Sequence, residues 1–101
     1  SSQIKKWLCL FLLSPLASAH SPHLSCKLEA ENVLCTGGFS DGSSAFGVEV
    51  KVLDYGDKVL HEGRFDKDSR FSFAKPEGEY YVRFDGGSGH QLELDYQDIE
   101  E

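Results

Sequence analysis

From Leu24 onward the chain alternates apolar and polar residues with a period of two, in short runs broken by glycine, proline, asparagine and aspartate. Val48, Val50 and Val52 share one side of a run whose other side carries Glu49, Lys51 and Leu53. Phe71 and Phe73 share a side, as do Tyr80, Val82 and Phe84, and Leu92 and Leu94 face away from Glu93 and Asp95. A period of two is the signature of a strand with one wet face, and no stretch is long and periodic enough for a helix. The pattern predicts seven strands, near 24–28, 33–39, 48–53, 58–64, 70–74, 80–84 and 91–96. Their number and short turns make an all-β, Ig-like or transthyretin-like antiparallel sandwich the expected architecture. The turns are expected at Glu31-Asn32, at Gly37-Gly38 and the polar run after it, at Tyr55-Gly56-Asp57, at Asp66-Lys67-Asp68-Ser69, at Lys75-Pro76-Glu77-Gly78 and at Gly86-Gly87-Ser88-Gly89. The acidic end, 98–101, is expected to fray.

The first 19 residues break this pattern. Lys5 and Lys6 precede the apolar run 7–13, and Ala17-Ser18-Ala19 supplies a small-residue ending. Basic start, short apolar run and small-residue ending form the three-part signature of a secretory signal peptide, cleaved after Ala19. The run is too short for a membrane-spanning helix, which needs about 20 residues. The expected division is therefore a signal peptide over 1–19, a sandwich domain over 20–97 and an acidic tail over 98–101, in a periplasmic or otherwise exported protein with no direct lipid anchor evident.

Export changes the arithmetic of charge and cysteine. The 101 residues carry a formal charge of −7; cleavage removes Lys5 and Lys6 and no carboxylate, leaving −9. An acidic surface disfavours nucleic acid and anionic lipid and tolerates cations. Cleavage also removes Cys9, so that Cys26 and Cys35 remain in an oxidising compartment. With Ala30-Glu31 as a two-residue turn, Cys26 and Cys35 fall directly opposite each other, where a non-hydrogen-bonded pair brings Cα atoms to about 4.5 Å. A cross-strand disulfide is the expected state. Two free buried thiols are the alternative, and a metal-thiolate pair has no second cysteine pair to support it.

Residues 50–73, from Val50 to Phe73, resemble the carboxypeptidase-regulatory-like, transthyretin-related β-sandwich repeat: a strand, an Asp-led turn, a strand, a second turn at Asp66, then an alternating Phe71-Ser72-Phe73. Phe65 stands where that family has Thr before Asp66, and Ser69 where it has the turn glycine, a position that often needs positive φ. The wider span 17–94 is similar to the small periplasmic accessory components of energy-coupling-factor nickel/cobalt transporters, on the leader ending in Ala-His, the short acidic hairpin, the same turn pattern and the glycine-rich loop running into Gly89-His90-Gln91. That resemblance implies a role beside the membrane components of a metal-uptake transporter, with a nickel or cobalt ion as cargo.

The candidate chemistry is histidine chemistry. Cleavage after Ala19 joins a free α-amine to the imidazole of His20, and an α-amine of pKa near ~7.7 is available to chelate a divalent ion around neutral pH. Such nitrogen donors suit Ni²⁺, Cu²⁺ and Zn²⁺, and the absence of methionine argues against Cu⁺. His23 follows three residues on, and His90 emerges from the glycine-rich loop, so His20, His90 and His23 form the candidate metal set. Pro22 stands where an amino-terminal Cu/Ni motif requires histidine, which excludes that square-planar site. His61 has no local partner and reads as an ordinary strand residue. The serines near glycine lack a nucleophile-elbow context, Asp66-Lys67-Asp68-Ser69 is too short for an EF-hand, and the glycine-rich loop lacks the lysine and helix of a phosphate loop. The expected function is thus non-enzymatic: an exported protein that presents a metal ion to a transporter, or, in the alternative, a metal-free adhesion or interaction module.

Overall fold

The structure, a computed structural model, describes residues 21–87 and 89–101; the expected signal peptide, His20 and Ser88 lie outside the described residues. Seven strands run in the order β1 (Pro22–Glu29), β2 (Asn32–Phe39), β3 (Glu49–Asp54), β4 (Val59–Arg64), β5 (Arg70–Ala74), β6 (Tyr80–Asp85) and β7 (Gln91–Asp95). They form two antiparallel sheets, a three-stranded one ordered β1-β2-β5 and a four-stranded one ordered β4-β3-β6-β7. The molecule is an all-β sandwich, as the alternation predicts. In the constant-type Ig arrangement the fourth strand joins the first sheet. Here a tight turn after Asp54 folds β4 back on β3 as a hairpin, so the fourth strand stays in the sheet of the third.

Two turns share one construction. Asp54 Oδ1 accepts the N–H of Gly56 (2.8 Å) and of Lys58 (2.9 Å), and Asp66 Oδ1 accepts the N–H of Asp68 (2.8 Å) and of Arg70 (3.0 Å). In each the fourth residue takes a left-handed conformation, Asp57 at φ 67° and Ser69 at φ 61°. The aspartate side chain thus replaces the main-chain ladder inside the turn. Those two N–H groups, from Arg70 first and Asp68 second, hold the Asp66 carboxyl below the usual carboxylate range. Ser69 does occupy a positive-φ position, and its hydroxyl accepts the N–H of Ala45 at 2.9 Å.

Val33, Cys35, Val50, Val52, Phe73, Tyr80, Val82 and Phe84 fill the space between the sheets, from one face each of β2, β3, β5 and β6. Two core residues come from connections rather than strands: Phe65 and Ala45 are fully buried, and the Phe65 ring packs on Phe84 with centroids 5.6 Å apart. Leu53 lies on the outer face yet is only 3 % exposed, flanked in the ladder by Val59 and Tyr81. Gly37 and Gly38 lie inside β2, as the expected strand over 33–39 has them, and the turn begins only after Phe39. A Cβ on Gly37 would lie 2.9 Å from the Phe84 ring, so the glycine there makes room for an aromatic core.

Cys26 pairs with Cys35 in the β1–β2 register and the two form a buried disulfide, Cα atoms 4.0 Å apart. Ala30, at φ 58°, carries the two-residue turn that sets this register. The acidic end does not fray among the described residues. After a 3₁₀ turn over Tyr96–Asp98, Ile99 packs against the core and Glu100 bridges to β1: its N–H donates to the Cys26 carbonyl (3.1 Å), and its carbonyl accepts the Leu28 N–H (2.7 Å). The apolar Ile99 inside the acidic run provides the anchor that charge alone would not.

Candidate metal site

One end of the sandwich gathers the start of β1, the β2–β3 connection over 40–48, the Asp66 turn and the glycine-rich loop before β7. The first described residue is held there twice, because the Ser40 N–H donates to the Ser21 carbonyl (2.7 Å) and the Ser21 N–H to Ser40 Oγ (3.0 Å). His23 lies two residues further along, exposed, directly opposite Gly38. A Cβ at Gly38 would sit 2.8 Å from both Cε1 and Nε2 of His23, so the imidazole occupies the space that the bare glycine leaves. The ring borders a groove of about 360 Å³ whose other lining includes Ser43, Ser44, Lys67, Asp68 and Ser69. Lys67 and Asp68 leave the groove without a strong charge of either sign.

His90 is positioned by the glycine-rich loop. Its N–H donates to the Gly87 carbonyl (2.9 Å) and its carbonyl accepts the Gly86 N–H (3.0 Å), with Gly87 and Gly89 at φ 105° and 80°. The ring stands edge-on to Phe39, centroids 5.9 Å apart, and with Phe39, Ser43 and Gly86 it lines a pocket of about 240 Å³. Phe39 in turn packs on Phe84, so this imidazole sits at the mouth of the aromatic core.

Strand alternation separates the two rings. Gly37 and Phe39 face the core and Gly38 faces out, which puts His23 on the outer face of the β1–β2 ribbon and His90 at its inner face. They share an end of the molecule and the neighbours Phe39 and Ser43, from opposite faces of the ribbon. Among the described residues no group of three or more His, Cys, Asp or Glu side chains is close enough to hold a metal ion. His20, the third candidate, lies outside the described residues. His61 points inward from β4 and stacks against Phe73 at 5.5 Å, a packing role.

The outer face of the larger sheet carries the strongest electrostatic order. Arg83 pairs with Glu93 (Nε to Oε2, 3.0 Å), and its guanidinium lies over the Tyr81 ring, 5.7 Å from the centroid. The Tyr81 hydroxyl donates to Asp57 at 2.7 Å, which raises its pKa. Tyr55 donates to Asp95 at 2.5 Å, and that bond first, with partial burial and the carboxylate's field after it, pushes its pKa up to about 12. Gln91 first and the Gly87 N–H second hold the Asp85 carboxyl low. These are groups already satisfied by one another. They stiffen a surface and leave no open donor set.

Fold and site together define a disulfide-pinned antiparallel sandwich with one exposed and one half-buried imidazole, His23 and His90, at one end. No family model matches the chain, and neither a curated protein nor a solved structure does. Among the described residues no helix is long and apolar enough to cross a membrane.

Proposed function

We propose that the chain is an exported, non-enzymatic accessory protein that holds a transition-metal ion, nickel or cobalt, at the histidine end of its sandwich and passes it to the membrane component of an uptake transporter. The ion is cargo. In this reading cleavage after Ala19 exposes the His20 amine, which with its own imidazole chelates the ion; His23 is the ligand within reach along the chain, and His90 stands apart. The observation that supports it is the double hydrogen bond between Ser21 and Ser40, which holds Ser21 at this end of the sandwich, two residues from an exposed imidazole. Few, exposed nitrogen ligands suit release by exchange better than a closed cage would. The buried disulfide supports an oxidising, exported environment, of which the periplasm is the proposed one.

Calorimetric titration with Ni²⁺ and Co²⁺ of protein beginning at His20, beside protein one residue longer, tests this. A longer chain converts the amine into an amide and removes the chelate, so its affinity is expected to fall at least about tenfold, or 1.4 kcal/mol. Equal affinities would overturn the reading. One observation favours the metal-free interaction module instead: Phe46, in the connection at the same end, is 67 % exposed, as expected of an anchor residue for a protein partner.

A further inference from the structure

The edges of the two sheets end in different ways. The chain's own C-terminal segment occupies the outer edge of β1 through Glu100. The edge strand β7 carries Gln91, Glu93 and Asp95, so two copies joined there would set carboxylate near carboxylate. β5 carries a single charge, Arg70. β4 differs from all of these, because Glu62 and Arg64 lie two apart on one face, both exposed and of opposite sign.

The main chain of β4 is prepared for pairing at the same two residues. The Phe65 N–H donates to the Val48 carbonyl, and alternation then directs the polar groups of Gly63 and His61 towards β3 and those of Glu62 and Arg64 outward. No described residue pairs with that outer edge. Gly63, between the two charges, brings no side chain to the edge. On its core side the ring of Phe71 lies where a Cβ would be, 2.7 Å away, and Phe71 is only half-buried there.

We propose that two copies of this chain associate through β4, antiparallel about a two-fold axis at Gly63, into one continuous sheet. In that register Glu62 of each copy faces Arg64 of the other. Both residues direct their main-chain groups outward, so each facing pair exchanges both main-chain hydrogen bonds as well as an ion pair. The absent side chain at Gly63 lets the strands approach on the axis, and the Phe71 rings meet beneath it and extend the apolar core across the junction. A slip by two residues sets Glu62 against its own copy, and a slip by one turns each charge to the wrong face. Isologous contact of this kind closes on itself and makes a dimer rather than a fibre.

Sedimentation of the disulfide-intact protein over a range of concentrations tests the proposal, together with Glu62→Arg and Arg64→Glu. The wild type is expected to form a dimer, and each variant alone to self-associate at least about tenfold more weakly, because like charges then face each other. Mixed in equal amounts, the two variants regain opposite charges at every facing pair and are expected to form a heterodimer. In the wild type, the amides of Glu62 and Arg64 gain exchange protection as concentration rises, a readout that needs no variant to fold. A wild type that stays monomeric at millimolar concentration overturns the proposal. So do two variants that associate as the wild type does, or a mixture that fails to recover.

Discussion

The two ends of the sandwich are built on opposite principles. At one end, where β3 and β7 finish and β6 begins, Tyr55, Tyr96, Tyr80 and Phe73 pack in succession, mostly edge to face, with centroids 6.2, 5.6 and 6.2 Å apart. The Tyr55 hydroxyl is held by Asp95, and the C-terminal segment is fastened to β1 close by. At the other end, His23 lies on bare glycine, His90 caps an aromatic pocket, and Phe46 stands in solvent. The first end spends its polar groups on holding the fold. The second leaves imidazole nitrogens available, and an available donor is what ligand exchange requires.

Several measurements can break or sharpen that contrast. The largest effect is expected at the aromatic core beneath the histidine end. Phe84→Ala removes a fully buried ring touching Phe39 and Phe65 and is expected to cost about 3–5 kcal/mol in urea denaturation. A loss below about 1 kcal/mol would mean the core re-closes and does not support the His90 pocket. Next, replacing Cys26 and Cys35 together by alanine is expected to cost about 2–3 kcal/mol by the loop-entropy account, for a loop closed over 9 positions. Because the Cys26 carbonyl also receives the Glu100 N–H, amide exchange of Leu28 and Glu100 is expected to quicken in that variant. Unchanged exchange would separate the tail from the disulfide.

At the histidine end, His23→Ala is expected to weaken Ni²⁺ binding by about tenfold and His90→Ala to leave it within about twofold, since the rings face different ways. The reverse order would place the ion in the Phe39 pocket. At the tyrosine end, the raised Tyr55 pKa makes a pH prediction. Unfolded tyrosine ionises near 10 while folded Tyr55 holds its proton to about 12, so the folded state binds more protons between these values. This contribution to stability is fully present below pH ~10 and is lost as pH rises to about 12. Spectrophotometric titration of Asp95→Asn is expected to bring the Tyr55 transition back down; an unmoved transition would assign the shift elsewhere. The low Asp66 and Asp85 pKa values act at the other extreme, giving stability that is present above the ordinary carboxylate range and lost as pH falls through their folded values. The smallest effect is expected at Ser69→Gly. Glycine relieves about 1 kcal/mol of left-handed strain but forfeits the bond to the Ala45 N–H, leaving the melting midpoint nearly unchanged.

The strands and the cysteine register were legible in the sequence because both follow from local rules: alternation picks the buried face of β3, β5 and β6, and a two-residue turn fixes which residues stand opposite. Burial of Phe65 and Ala45 was not legible, since connections have no period to read. The docking of Ile99 and Glu100 was hidden by the charges around them, and the burial of Leu53 by its cross-strand neighbours Val59 and Tyr81 on the outer face of β3. For the candidate site, histidine counting found His23 and His90 and the turn pattern put them at one end. Which face of a strand each ring takes depends on the register at Gly37 and Gly38, two residues with no side chain for alternation to assign.

The contrast between the ends can be examined directly by adding Co²⁺ in small amounts to isotope-labelled protein beginning at His20 and following paramagnetic broadening of its amide signals. The account predicts broadening confined to the neighbourhood of Ser21 to Leu24 and of Gly37 to Ser44, with the tyrosine end unaffected. Broadening centred instead on the carboxylates of Asp95, Asp98, Glu100 and Glu101 would contradict it, and would mean that the acidic surface rather than the histidine end collects the ion.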